Sequence, residues 1–284
     1  MKPIDYFDRG ESKNPDHVFV ESESVRYTFS ETKDLTIRIT LGLYSNGFEK
    51  GDCVAVYSPN DPTAVVCIFS IFRAGGVWIP VNANNDVSSN TQYLSDVATR
   101  WLFFHSSVKE EVKQIQRELP ELKGIFCINS PSTDFPFFEA ILADNDELFI
   151  SDLSDPFSFP EDIFSLWPTG GTTGPSKAVE MLNRNICAMY ELGLRHYVSR
   201  NAEEIVYLAV APITHAAGVI MPIFATVGGT TVVLPAFDPE SVLRTIEAKR
   251  VTHLFLPPTA YYSLLDLASR TTTDTSSLRQ ILLA

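Results

Sequence analysis

The chain is short of positive charge, of paired cysteines and of a leader-like beginning, and each shortage removes a class of function. Lys and Arg number 22 against 35 Asp and Glu, a formal net charge of −13. Non-specific nucleic-acid binding needs a basic face to displace counterions from phosphate, so nucleic acid is not an expected partner. The same negative field repels anionic substrates, which must be gripped by a local site. The four cysteines, Cys53, Cys67, Cys127 and Cys187, make no C-x-x-C pair and lie in or beside apolar segments. That pattern predicts buried free thiols in a reducing compartment. The first residues contain no apolar signal region, which predicts a cytoplasmic protein. No internal repeat is visible. Residues 205–237 lack any Asp, Glu, Lys or Arg, but Pro212, His215, Gly218, Pro222, Gly228 and Gly229 punctuate them. A buried strand–helix–strand fits this run better than a transmembrane segment.

What is present is ample core material: 284 residues, 45% hydrophobic and 20% charged, as in a soluble globular protein. Short apolar runs alternate with helix-length pieces. Strands are predicted at residues 53–57, 77–81, 101–105 and 124–128, with helices through Arg73, near 89–98 and near 108–118. After a glycine-rich stretch come a strand at 178–182, a helix at 183–197, strands at 205–210 and 230–234, a helix at 239–249, a strand at 251–256 and a helix opened by Pro257 and Pro258. Strands joined by helix-length connections predict α/β architecture with mainly parallel sheets and helices on their faces. Residues 129–161 are rich in Pro, Ser, Asp and Phe and predict an irregular surface excursion. Their acidic residues have no ligand-like spacing, so no metal site is assigned. Residues 278–284 read as a strand entering a turn, which suggests the front part of a larger enzyme.

One stretch names a chemistry: Thr169, Gly170, Gly171, Thr172, Thr173, Gly174, Pro175, Ser176 and Lys177, directly after an apolar run. Backbone N–H groups, hydroxyls and one ammonium gathered in a short loop suit a polyphosphate. The P-loop NTPase pattern requires Gly and Lys adjacent, then Ser or Thr. Pro175 and Ser176 intervene and Ala178 follows, so that pattern fails. The dinucleotide fingerprint fails on the spacing of Gly170, Gly171 and Gly174. A plain Gly/Thr hairpin is the bland alternative, though hairpins need only two to five turn residues. From spacing alone, His215 is a satisfied core histidine.

The loop resembles the signature of the adenylate-forming superfamily, the AMP-dependent synthetases and ligases that include acyl-CoA synthetases. Ser176 stands at that family's usual proline position and Ala178 at its usual glycine. Other segments in the right order are similar too: Gly51 to Val56 with Ser58, Pro59 and Asn60; Ala74 to Val81; Pro212 to Gly218; and Phe255 to Pro258. The resemblance implies a truncated large N-terminal domain of two lobes, residues 48–195 forming one and 1–47 with 200–284 part of the other, the C-terminal domain being absent. It implies ATP-dependent activation of a carboxylic acid to an acyl-adenylate, then thioesterification to coenzyme A, with Mg2+ on the phosphates. Lys177 and Thr173 are the implied catalytic groups. Thr169, Gly170, Gly171, Thr172, Thr173, Gly174 and Lys177 are implied to bind nucleotide, and His215, Ala216, Ala217 and Gly218 to line the acyl pocket. Other readings are a peptide-synthetase-type adenylation domain, a fatty-acyl-AMP ligase and a non-catalytic nucleotide-binding remnant. The fragment alone is expected to be inactive.

Overall fold

The computed structural model describes residues 1–131, 133–142, 159–168, 178–198 and 204–283. The chain begins with α1 (Pro3–Glu11), β1 (Val18–Glu21), β2 (Arg26–Thr28) and α2 (Phe29–Ser45). It continues through β3 (Cys53–Tyr57), α3 (Pro62–Ala74), β4 (Val77–Val81), α4 (Val87–Asp96), β5 (Trp101–Phe104), α5 (Lys109–Glu118) and β6 (Gly124–Cys127). Next come β7 (Ile163–Pro168), β8 (Ala178–Leu182), α6 (Asn183–Tyr197), β9 (Val206–Ala209), α7 (Ala216–Ala225) and β10 (Thr230–Val233). The last elements are α8 (Pro239–Lys249), β11 (His253–Leu256), α9 (Pro258–Ala268) and β12 (Gln280–Leu283).

These elements make an α/β fold with two six-stranded mixed sheets, one in each of two compact units. The first unit holds Met1–Ile4, Thr32–Ser58 and Thr63–Ala188. Its sheet runs β6-β5-β3-β4-β7-β8, parallel except for the antiparallel pair β7·β8. The second unit holds Asp5–Glu31, Pro59–Pro62 and Met189–Ala284. Its sheet runs β12-β11-β9-β10-β1-β2, parallel except for β1·β2. Antiparallel pairing sits at one edge of each sheet, where a hairpin replaces a crossover.

The central strands are buried along their whole length, as parallel strands covered on both faces must be. In the first unit, α4 and α5 pack onto Ala55, Tyr57, Ile79, Leu102 and Phe104. Helix α5 does this with Val112 and Ile115 while its Lys and Glu residues face water. In the second unit, α8 and α9 cover Val206, Leu208, Val232, Leu254 and Leu256. Helices α4 and α8 start alike: Asp86 and Asp238 each accept a hydrogen bond from the backbone N–H three residues on, at 2.8 and 2.9 Å. Those bonds satisfy a donor that the helix itself leaves orphaned.

Two expectations need correction. The excursion after β6 is not purely superficial: Phe135, Phe138 and Ile141 are buried, and Phe135 meets Phe104 edge-on at 5.0 Å. A 3-10 turn at Phe138–Ile141 brings the Ile141 carbonyl against Gly42 of α2, so close that an added Cβ would lie 1.5 Å from it. The thiols are all free, but only Cys67 and Cys127 are buried, while Cys53 and Cys187 are half-buried. The charge-free run forms β9, α7 and β10 as expected. No helix among the described residues is long and apolar enough to cross a membrane.

Candidate functional site

Residues 169–177, which carry the expected nucleotide-binding groups, lie outside the described residues; the strands that hold their two ends do not. Strand β7 runs parallel to β4, with Trp78 opposite Ser165. Its carboxyl end therefore lies on the same edge of the sheet as those of β3, β4, β5 and β6. Open α/β sheets bind ligands at that edge. Pro168 pairs with Ala178, the residues on either side of the loop, and Trp167 pairs with Val179.

The end of β7 is fixed by its side chains. The Trp167 indole N–H donates to Ser165 Oγ at 2.6 Å, and Ser165 is wholly buried. Trp167 also meets Trp78 edge-to-face, 5.8 Å between ring centroids and 87° between planes. The Tyr93 hydroxyl donates to the Leu166 carbonyl. Burial raises the Tyr93 pKa far above that of free tyrosine, so the hydroxyl keeps its proton.

Beside β7, strand β4 ends in a polar turn that sequence reasoning passed over. Asn90 is buried and donates to the Asn82 carbonyl at 3.0 Å, while Asn84 N–H donates to Asn82 Oδ1 at 2.9 Å. Asp86 accepts from Ser88 and Ser89, and those bonds hold its carboxyl down at about 2. The available signal was the run Asn82, Ala83, Asn84, Asn85, Asp86 straight after a fully apolar strand.

His215, Ala216, Ala217 and Gly218 belong to the second unit, where they begin α7. His215 is the N-cap residue and is exposed, Ala216 is half-buried, and Ala217 and Gly218 are buried. Partial desolvation of the imidazole holds its pKa below the ordinary histidine value. Packing accounts for Gly218, and Ala217 is wholly buried. A Cβ at Gly218 would lie 1.8 Å from the Ile213 carbonyl oxygen, and the Ala217 carbonyl accepts the buried Tyr207 hydroxyl at 3.2 Å. The surface that His215 and Ala216 present is what a ligand could reach.

The described residues bring no group of three or more His, Cys, Asp or Glu together as a metal site. The chain is 30% identical over 271 residues to the 3-[(3aS,4S,7aS)-7a-methyl-1,5-dioxo-octahydro-1H-inden-4-yl]propanoyl:CoA ligase of Mycobacterium tuberculosis (strain ATCC 25618 / H37Rv), covering 93% of this chain and 53% of that protein. It is 26% identical over 297 residues to the long-chain-fatty-acid–CoA ligase of Bacillus subtilis (strain 168), covering 94% of this chain and 52% of the other. The chain thus spans about half the length of these curated relatives. Among solved structures, the inhibitor-bound N-terminal domain of FACL13 from Mycobacterium tuberculosis superimposes with a TM-score of 0.84 at 20% identity, covering 100% of this chain and 70% of that one. This likeness concerns the fold, which is that of the N-terminal domain of adenylate-forming enzymes. The family described as AMP-binding enzyme matches residues 7–284, and the chain belongs to that family.

Proposed function

We propose that this chain is the ATP-gripping and acid-binding part of an AMP-forming acid–thiol ligase of the acyl-CoA synthetase type. The supporting observation is where the residues flanking the glycine–hydroxyl segment lie. Pro168 and Ala178 pair across β7 and β8, and β7 is fixed by Trp167, Ser165 and Tyr93 at the carboxyl edge of the parallel strands. In this reading the carboxylate of the acid attacks the α-phosphorus of ATP, pyrophosphate leaves, and the thiol of coenzyme A then displaces AMP from the acyl-adenylate.

The first step builds charge on the leaving pyrophosphate. Thr169, Thr172, Thr173 and Lys177 donate to its oxygens, and Gly170, Gly171 and Gly174 let the backbone approach closely. Magnesium brought with the nucleotide would offset charge on the phosphate oxygens. His215 and Ala216 line the acid site, with Ala217 and Gly218 behind them at the start of α7.

The test is exchange of labelled pyrophosphate into ATP by the full-length protein, over fatty, aromatic and amino acids, with and without coenzyme A. Lys177→Ala is expected to slow exchange by about 10²–10³. A variant within about twofold of wild type removes Lys177 from the phosphate site, since one lost donor at such a site costs far more.

A further inference from the structure

Asn60, in the connection between β3 and α3, belongs to the second unit through the stretch Pro59–Pro62. It is 8% exposed. Its side-chain oxygen accepts the Ile213 backbone N–H at 2.8 Å. Its amide nitrogen faces four carbonyl oxygens: Leu234 at 2.9 Å, Ala211 at 3.1 Å, Val210 at 3.2 Å and Ala209 at 3.5 Å. An –NH2 group has two hydrogens, so the two shorter contacts are the principal bonds and the longer two share them.

The place of these carbonyls in the sheet gives the contact its meaning. Ala209 ends β9 and Leu234 follows the end of β10, its parallel neighbour. From β9 the chain crosses to β10 through α7. From β10 it returns through α8 to β11, on the far side of β9. The connections leave the two strands in opposite directions, and such a divergence opens a crevice at the carboxyl edge where α/β proteins hold ligands. Here the floor of that crevice is filled by a side chain of the protein itself.

From Asn60 a short relay reaches His215. Ile213 is fixed through its N–H, and the Ile213 carbonyl rests against Gly218, where there is no room for a Cβ. The Pro212 carbonyl accepts the His215 N–H at 3.0 Å. The start of α7, with the imidazole at its cap, is therefore held from below by one amide. We infer that Asn60 is a positioning residue: it floors the crevice between β9 and β10 and sets the place of His215, and through it the recognition of the carboxylic acid. The acid-recognition part rests on the proposed function; the positioning part does not.

Two variants separate the contributions. Asn60→Asp keeps the volume and the acceptor for Ile213 but turns lone pairs toward four carbonyl oxygens. Asn60→Ser removes most of the contacts without adding charge and stands in if the aspartate variant does not fold. In the full-length protein, the KM for the acid is expected to rise about 10- to 100-fold, with the KM for magnesium–ATP within about twofold of wild type, as for a displaced substrate wall. Equal loss for both substrates, tracking loss of folded protein, overturns the positioning role. Imidazole resonances supply a readout free of activity: His215 is expected to shift and His253, on β11, to stay. An unmoved His215 in a folded variant refutes the relay. Absence of exchange in wild type, with His215 still shifting, instead refutes the ligase reading and leaves the positioning intact.

Discussion

Laid strand against strand, the two sheets are the same sheet built twice. Strands β6-β5-β3-β4-β7-β8 correspond in order to β12-β11-β9-β10-β1-β2, with the antiparallel pair last in both. The helices correspond as well: α3, α4 and α5 link the first set as α7, α8 and α9 link the second, and α6 follows β8 directly as α2 follows β2. The difference lies in the edge hairpin. Between β1 and β2 the chain needs only residues 22–25, closed by Ser22 N–H on the Val25 carbonyl at 2.8 Å and by Val25 N–H on Ser22 Oγ at 3.2 Å. Between β7 and β8 it spends residues 169–177, with three glycines, three threonines and a lysine. The other sheet makes the corresponding connection with four residues where this one has nine.

The most damaging way to probe the comparison is to make the hairpins alike. Replacing residues 169–177 with Ser-Glu-Ser-Val, the turn of the other sheet, is expected to lower pyrophosphate exchange by at least about 10³, since several donors go at once. The circular dichroism spectrum should stay native. Loss of folded structure along with activity would show that the long loop is also structural.

A smaller effect is expected where each unit has a glycine pressed on a carbonyl. Gly42→Ala in the first unit and Gly218→Ala in the second put a Cβ 1.5 and 1.8 Å from Ile141 O and Ile213 O. Each is expected to cost about 1–3 kcal/mol in urea unfolding through forced backbone movement. A neutral result at either position means that the neighbouring turn yields freely.

The smallest effect concerns the matched caps of α4 and α8. Asp86 and Asp238 both have carboxyls held below the usual range, chiefly by hydrogen bonds from Ser88 and Ser89 and from Ser241. A lowered folded-state pKa contributes stability above the unfolded value of 3.8, and this is lost as pH falls through the folded value, about 2 for Asp86. Asp86→Asn and Asp238→Asn are expected to flatten the acid limb of the stability profile by similar, small amounts. Unequal slopes would break the equivalence of the two helices.

Much of the fold was legible because buried parallel strands are apolar throughout and end at punctuation. Cys53–Tyr57 and Val77–Val81 coincide with expected strands of this kind, and the exposed antiparallel edge strand Ala178–Leu182 coincides with its expected span as well. The duplication was not legible, because it is one of topology. The partners of β10–β12 in the repeat include β1 and β2 at the start of the chain, and Val20 pairs with Thr231 across most of the sequence. Strands of four and three residues, like β1 and β2, leave little periodic signal. At the site, the glycine–threonine loop stood out by composition. Asn60 was visible only as part of a family-like segment, and the carbonyls of Ala209, Val210, Ala211 and Leu234 converging on it are what give it a role.

The tryptophan at the end of β7 has a practical consequence. Trp167 is half-buried, sits two residues before the loop and lies edge-on to buried Trp78, whereas the third indole, Trp101, is tied to Asp52 elsewhere in the same sheet. Occupation of the loop would alter the surroundings of one fluorophore out of three. The intrinsic emission of the unlabelled protein then supplies a titration signal for nucleotide, and Trp167→Phe a blank for it.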